Sequence, residues 1–185
     1  PPEPGASGAR AYDMAQALLA AGHQVTMIAE VPNHPHGVIP PEYQGKFMQR
    51  HQLDGIDVIY VWVKTSQVKT FRSRILFYLS YMITAIWAGL FVARGKHDLV
   101  FATSPPLFVG FSGIVVSFLR RLPYVFEAID LWPEAAVTMG ELNNPRFIRW
   151  ATKLEEWCYR RGRKIIVTAQ EMVDRLVSRG IPAEK

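Results

Sequence analysis

Apolar positions change period along the chain, from helical to extended and back. After Gly8, the residues Ala11, Tyr12, Ala15, Leu18 and Leu19 recur at helical spacing. Ser7 is placed to cap and Gly22 to stop, so a helix is predicted over 8–21. Gln24 to Glu30 (QVTMIAE) is a short, mostly apolar run ending at Pro32 and reads as a buried strand. A loop with Pro32, Pro35, Pro40 and Pro41 follows, then a second strand, IDVIYVWV, from Ile56 to Val63. The most apolar stretch, Ile75 to Ala93, predicts a long helix. After it come a strand at Asp98–Thr103, a helix over 107–119 and a strand at Tyr124–Ile129. Asn143, Asn144 and Pro145 make a helix start, and Phe147, Ala151, Leu154, Trp157 and Cys158 mark one helical face to about Arg161. Lys164 to Ala169 is a strand, and a last helix runs over 171–178. Five apolar strands separated by helices predict an α/β fold with a Rossmann-like, doubly wound parallel sheet.

The 185 residues suffice for one core, so residues 1–185 read as one domain. A Gly-rich turn such as PGASG normally lies between the first strand and first helix of such a sheet, yet only Pro1, Pro2 and Glu3 precede it. The expectation is that the first strand is missing and that RGIPAEK stops short of a further element. The opening PPEPGASGAR has neither the basic nor the apolar region of a signal peptide.

Charge sharpens the picture at one place. Of 21 basic and 16 acidic residues, six basic ones (Lys64, Lys69, Arg72, Arg74, Arg94 and Lys96) lie between Val58 and His97, where no acidic residue occurs; the rest of the chain is 15 against 16. Those charges bracket the 19-residue apolar stretch 75–93, inside the window of about 17–25 residues for a membrane-crossing helix. Basic flanks around an apolar segment point to a membrane surface and away from nucleic acid. Three readings stay open: a spanning helix, a helix packed on the domain while touching a bilayer, and burial against a partner domain. Cys158 is the only cysteine, which excludes a disulfide framework and cysteine-based zinc sites and fits a reducing compartment.

In an open α/β sheet ligands collect at the carboxyl ends of strands, which singles out four places. Gly5 and Gly8, beside Ala6, Ser7 and Arg10, form either an anion site at a helix start or a plain tight turn. Thr103 and Ser104 end a strand, where they either cap the next helix or face a ligand. Densest is FEAIDLWPE. Glu127 sits inside an apolar strand where burial is costly without a partner, and Asp130 and Glu134 follow; such carboxylates orient sugar hydroxyls or act as a base. Glu171 reads mainly as a helix-start residue. His34 and His36 read as loop residues without a metal signature, and no Walker sequence, GxSxG or HExxH occurs.

Taken together, PPEPGASGAR, ATSPPLF at 102–108, FEAIDLWPEAAV at 126–137, LEEWCYRRGRKIIVTA at 154–169 and SRGIPAEK resemble bacterial GT-B glycosyltransferases. The likeness is to the glycogen-synthase-like retaining group, in the branch that builds O-antigen, capsule and exopolysaccharide, and to its N-terminal, acceptor-side domain alone. The resemblance implies transfer of a sugar from a nucleotide sugar to a lipid-linked saccharide or polysaccharide acceptor, with retention and without a required metal or other cofactor. The nucleotide would be held by a C-terminal Rossmann domain not present in this sequence, leaving this piece inactive alone. It further implies Asp130 and Glu127 as catalytic residues, Gly5 and Gly8 at the donor diphosphate, and Ser104, Glu134 and Arg10 along the acceptor cleft. Arg72, Arg74, Arg94 and Lys96 would meet the membrane, placing the protein in the cytoplasm, peripheral on the inner face of the cell membrane, with no nucleic-acid partner. The alternative is a free-standing membrane-associated binding or scaffolding protein that keeps a Rossmann-like sheet.

Overall fold

The computed structural model describes residues 6–68, 70–140 and 142–185; strands and helices alternate as expected from residue 100 onward, whereas three strands follow one another before the long apolar helix. The chain divides into two units, one running to Arg94 and one from Gly95 onward, each with its own three-stranded sheet. The expected parallel pairing holds throughout the second sheet, whereas the first is mixed.

In the first unit, helix α1 (Ala6–Ala20) is followed by β1 (Thr26–Glu30), β2 (Met48–Leu53), β3 (Ile56–Val61) and α2 (Phe71–Trp87), which continues through a π turn at Ala88–Val92. Because α1 already begins at Ala6, Ser7 lies inside the helix and not at its cap, and Gly8 lies in the first turn and not in a loop. The sheet order is β1-β3-β2, with β1 parallel and β2 antiparallel to β3. Strand β2 was not expected. It is joined to β3 by a two-residue hairpin at Asp54 and Gly55, both at positive φ (48° and 86°), which a primed turn requires. Arg50 and Asp57 close the hairpin with two hydrogen bonds, of 2.7 and 2.6 Å.

Strand β3 is apolar on both sides because both of its sides are covered. Ile56, Val58 and Tyr60 join Ala15 of α1, while Ile59 and Val61 join Ala88 and Ala93. Helix α2 starts with a reciprocal cap: the Ser73 amide donates to Thr70 Oγ1 at 3.1 Å and the Thr70 amide to Ser73 Oγ at 2.9 Å. Thr70→Ala should cost about 1 kcal/mol in urea unfolding, with Thr70→Ser retaining most of the stability.

The second unit contains β4 (Val100–Ser104), α3 (Leu107–Arg120), β5 (Tyr124–Ala128), α4 (Glu134–Thr138), α5 (Pro145–Arg161), β6 (Lys164–Val167) and α6 (Gln170–Ser178). Its sheet is all parallel in the order β4-β5-β6. Helix α3 lies close against that sheet because Gly110 and Gly113 present no side chain to Phe126, Tyr124 and Ala102. Phe126, Cys158 and Tyr159 are fully buried at the centre of this core. Asn144 caps α5 as its position predicts, accepting from the Arg146 and Phe147 amides at 3.0 and 3.3 Å. The short α4 was not expected.

Candidate functional site

Three parallel strands end together in the second unit, and their carboxyl ends bring Thr103, Ser104, Asp130 and Thr168 to one edge. The exit of the central strand β5 is pinned on both sides. The Ile129 amide donates to Ser104 O at 2.9 Å, and Thr168 Oγ1 donates to Ile129 O at 3.1 Å. The next residue, Asp130, is exposed, and its carboxylate has no hydrogen-bond or ion-pair partner among the described residues.

Glu127 lies in a different setting. It is 2% exposed, one residue before the end of β5, directly opposite Thr103 in the parallel register. Thr103 Oγ1 donates to its Oε2 at 2.6 Å, so the carboxylate has the partner that burial in a strand demands. Capping of the next helix is therefore not what Thr103 and Ser104 do: Thr103 holds Glu127, Ser104 supplies the carbonyl that pins Ile129, and the cap position of α3 is Pro106, without a side-chain bond.

Glu134 begins α4, where a carboxylate suits the helix dipole, and its Oε1 reaches Arg175 at 3.3 Å and Arg179 at 3.7 Å. Arg179 also reaches Glu155 Oε2 at 2.8 Å and Glu156 at 3.4 Å, so α4, α5 and α6 are joined by one charged cluster. Tyr159 donates to Glu155 Oε1 at 2.9 Å. Burial pushes the Glu155 carboxyl up to about 7, against the opposing effects of Arg179 and Tyr159, which lower it. Sequence reasoning missed Glu155 and Arg179. The signal was present in the helical period of α5, where Glu155 lies between Ala151 and Cys158 on the face that turns inward.

Beside Asp130, Trp132 meets Phe147 edge-on at 6.3 Å, and Phe147, Trp150 and Phe108 extend the row at 5.6 and 6.1 Å. An apolar cleft between β6 and α6 is lined by Ile165, Val167, Leu176 and Ile181, with no carboxylate side chain in its lining.

The remaining candidates belong to the first unit or its border. Gly8 and Arg10 are exposed on α1, with nothing within 4 Å of the place a Gly8 side chain would take; Gly5 lies outside the described residues. Arg72, Arg74, Arg94 and Lys96 are all exposed. His34 and His36 are exposed in the loop after β1.

A parallel sheet with helical crossovers and functional groups at its carboxyl edge defines a Rossmann-like α/β domain. Residues 5–185 match the family model described as the Glycosyl transferase 4-like domain, and the chain belongs to that family. The family supports glycosyl transfer as the general activity. None of the curated proteins compared with the chain matches it.

Proposed function

We propose that this chain is the acceptor-side domain of a retaining, nucleotide-sugar-dependent glycosyltransferase that serves a bacterial polysaccharide pathway. The observation that carries the reading is Asp130, an exposed and unpartnered carboxylate fixed at the end of the central strand by bonds on either side of Ile129. Such a group is suited to accept the hydrogen bond of an acceptor hydroxyl and orient it for transfer. Glu127 acts through Thr103 as a positioning residue, keeping the ends of β4 and β5 in register.

By the family resemblance Glu134 and Arg10 are assigned to the acceptor and Gly5 and Gly8 to the donor diphosphate, while Ser104, 2% exposed, acts through the carbonyl that pins Ile129 and not as a cleft-lining side chain. A second Rossmann domain holds the nucleotide, and no metal or other cofactor is required. The acceptor is a lipid-linked saccharide or polysaccharide, which accounts for a basic, apolar segment suited to the inner face of the cell membrane; nucleic acid is not a partner. Asp130→Asn in the full-length protein should lower kcat/KM for transfer by at least about 10²-fold, as loss of a positioned acid-base group does, with an unchanged melting temperature. Wild-type turnover in a folded Asp130→Asn protein would remove Asp130 from the mechanism.

A further inference from the structure

Helix α2 and its π turn form one apolar rod of 22 residues, Phe71–Val92, long and apolar enough to cross a membrane. How it is held in the first unit argues against crossing. Tyr81 donates to Ile28 O at 3.0 Å, Thr84 donates to Trp62 O at 3.0 Å, and the Lys64 amide donates to Ser80 Oγ at 2.8 Å. Three residues in the middle of the rod are thus tied to β1 and to the segment leaving β3. That sheet also carries the Arg50–Asp57 pair and the exposed polar edge of β2. Threading the rod through hydrocarbon would take this polar sheet with it and leave its polar groups unsatisfied.

A neighbouring face of the rod is open. Leu76, Ile83, Trp87 and Phe91 follow at spacings of seven, four and four residues and are 48%, 61%, 52% and 58% exposed. Trp87 and Phe91 lie 4.6 Å apart, ring centre to ring centre. The π turn, closed by Ala93 donating to Ala88 O at 2.8 Å, keeps Ala88 and Ala93 in the core while Phe91 stays outside. Arg72 and Arg74 stand at one end and Arg94 at the other, all exposed, and no acidic residue lies between Asp57 and Asp98. An apolar stripe with aromatic side chains, basic ends and no acidic residue in its own segment is complementary to an anionic lipid surface.

We propose that α2 lies flat on one leaflet of an anionic bilayer, Leu76, Ile83, Trp87 and Phe91 entering the headgroup boundary with the basic ends of the rod, Arg72 and Arg94, at the same surface. The proposal rests on the membrane part of the function given above and specifies its mode.

The test uses the full-length protein with Arg74→Cys or Arg94→Cys, in sealed inside-out and right-side-out membrane vesicles treated with an impermeant maleimide. Cys158 is buried and its thiol pushed up to about 12, by burial first and by Glu155 second, so the unsubstituted protein provides the background. Both cysteines should react in the same vesicle orientation. Reaction in opposite orientations means a spanning helix and overturns the proposal while leaving membrane attachment standing. Recovery of the protein in the wash overturns the proposal and the attachment together, whereas sugar transfer is measured independently of either.

On purified vesicles, binding to phosphatidylglycerol mixed with phosphatidylcholine should exceed binding to phosphatidylcholine alone by more than tenfold and weaken as salt is raised. Trp87→Ser combined with Phe91→Ser should lower it at least tenfold again, on a face that makes none of the bonds holding α2 to the sheet. Equal binding to both vesicle types, or no loss in the double variant, overturns the proposal.

Discussion

Arg179→Leu lowers the stability of the chain by about 3–5 kcal/mol, the range for removing one partner of a buried ion pair. Among the described residues the guanidinium is the only positive group that reaches Glu155, whose side chain is 2% exposed. Its own Nη1 is buried without a hydrogen bond, 3.7 Å from Glu134, so the cluster is held together by the Glu155 contact more than by Glu134. Urea unfolding followed by tryptophan fluorescence measures the loss.

The same cluster gives a pH dependence with a definite sign. The Glu155 carboxyl is raised in the folded state, from an ordinary 4.5 to about 7, because burial disfavours the anion. Its contribution to stability is therefore fully present below about 4.5 and is lost as the pH rises through 7. Without Arg179, which lowers the value, the carboxyl rises further and the destabilisation deepens toward high pH. Glu155→Gln should flatten this part of the profile; an unchanged slope between pH 5 and 8 in that variant would assign the dependence elsewhere.

Gly113→Ala is the second large effect. A methyl group there would stand 2.6 Å from the Tyr124 ring and 2.8 Å from the Ala102 side chain, closer than packed atoms tolerate. Ala102 has no rotamer with which to yield, so α3 itself must move from β4 and β5, at about 1–3 kcal/mol. Better helix propensity returns at most about 1 kcal/mol. A net fall of several degrees in Tm is expected. Gly8→Ala is the contrast, since a side chain there meets nothing within 4 Å and should be neutral or stabilising by the same propensity argument. If the two variants melted alike, close approach of α3 would not be what Gly113 provides.

The strands that were legible are those buried on both faces. YVFEAI and IDVIYVWV announce themselves because no polar position interrupts them except Glu127 and Asp57, and both prove to be partnered on an adjacent strand. Strand β2 was not legible by hydropathy. Arg50, His51 and Gln52, on both faces of the strand, are all exposed, so it carries neither an apolar run nor clean alternation. The turn chemistry did mark it: Asp54-Gly55 immediately before an apolar run is the short-range sign of a primed hairpin. Helix α4, at five residues, is too short for any period to show.

The position of Asp130 at the exit of β5 was legible from the sequence, and the need for a Glu127 partner followed from burial alone. That Thr103 is this partner depends on parallel register, which only the fold supplies. Glu155 was hidden because a carboxylate on a charged-looking helix reads as solvated until the inward face is known.

The most direct test of the proposed activity is transfer itself. The full-length protein is incubated with a panel of radiolabelled nucleotide sugars and lipid-linked saccharides extracted from its own membranes, and label in the lipid fraction is followed together with the anomeric configuration of the product. The account predicts one donor that gives time-dependent label with retained configuration, suppressed at least about 10²-fold by Asp130→Asn. Folded protein that labels no acceptor from any donor, or gives an inverted product, would contradict it.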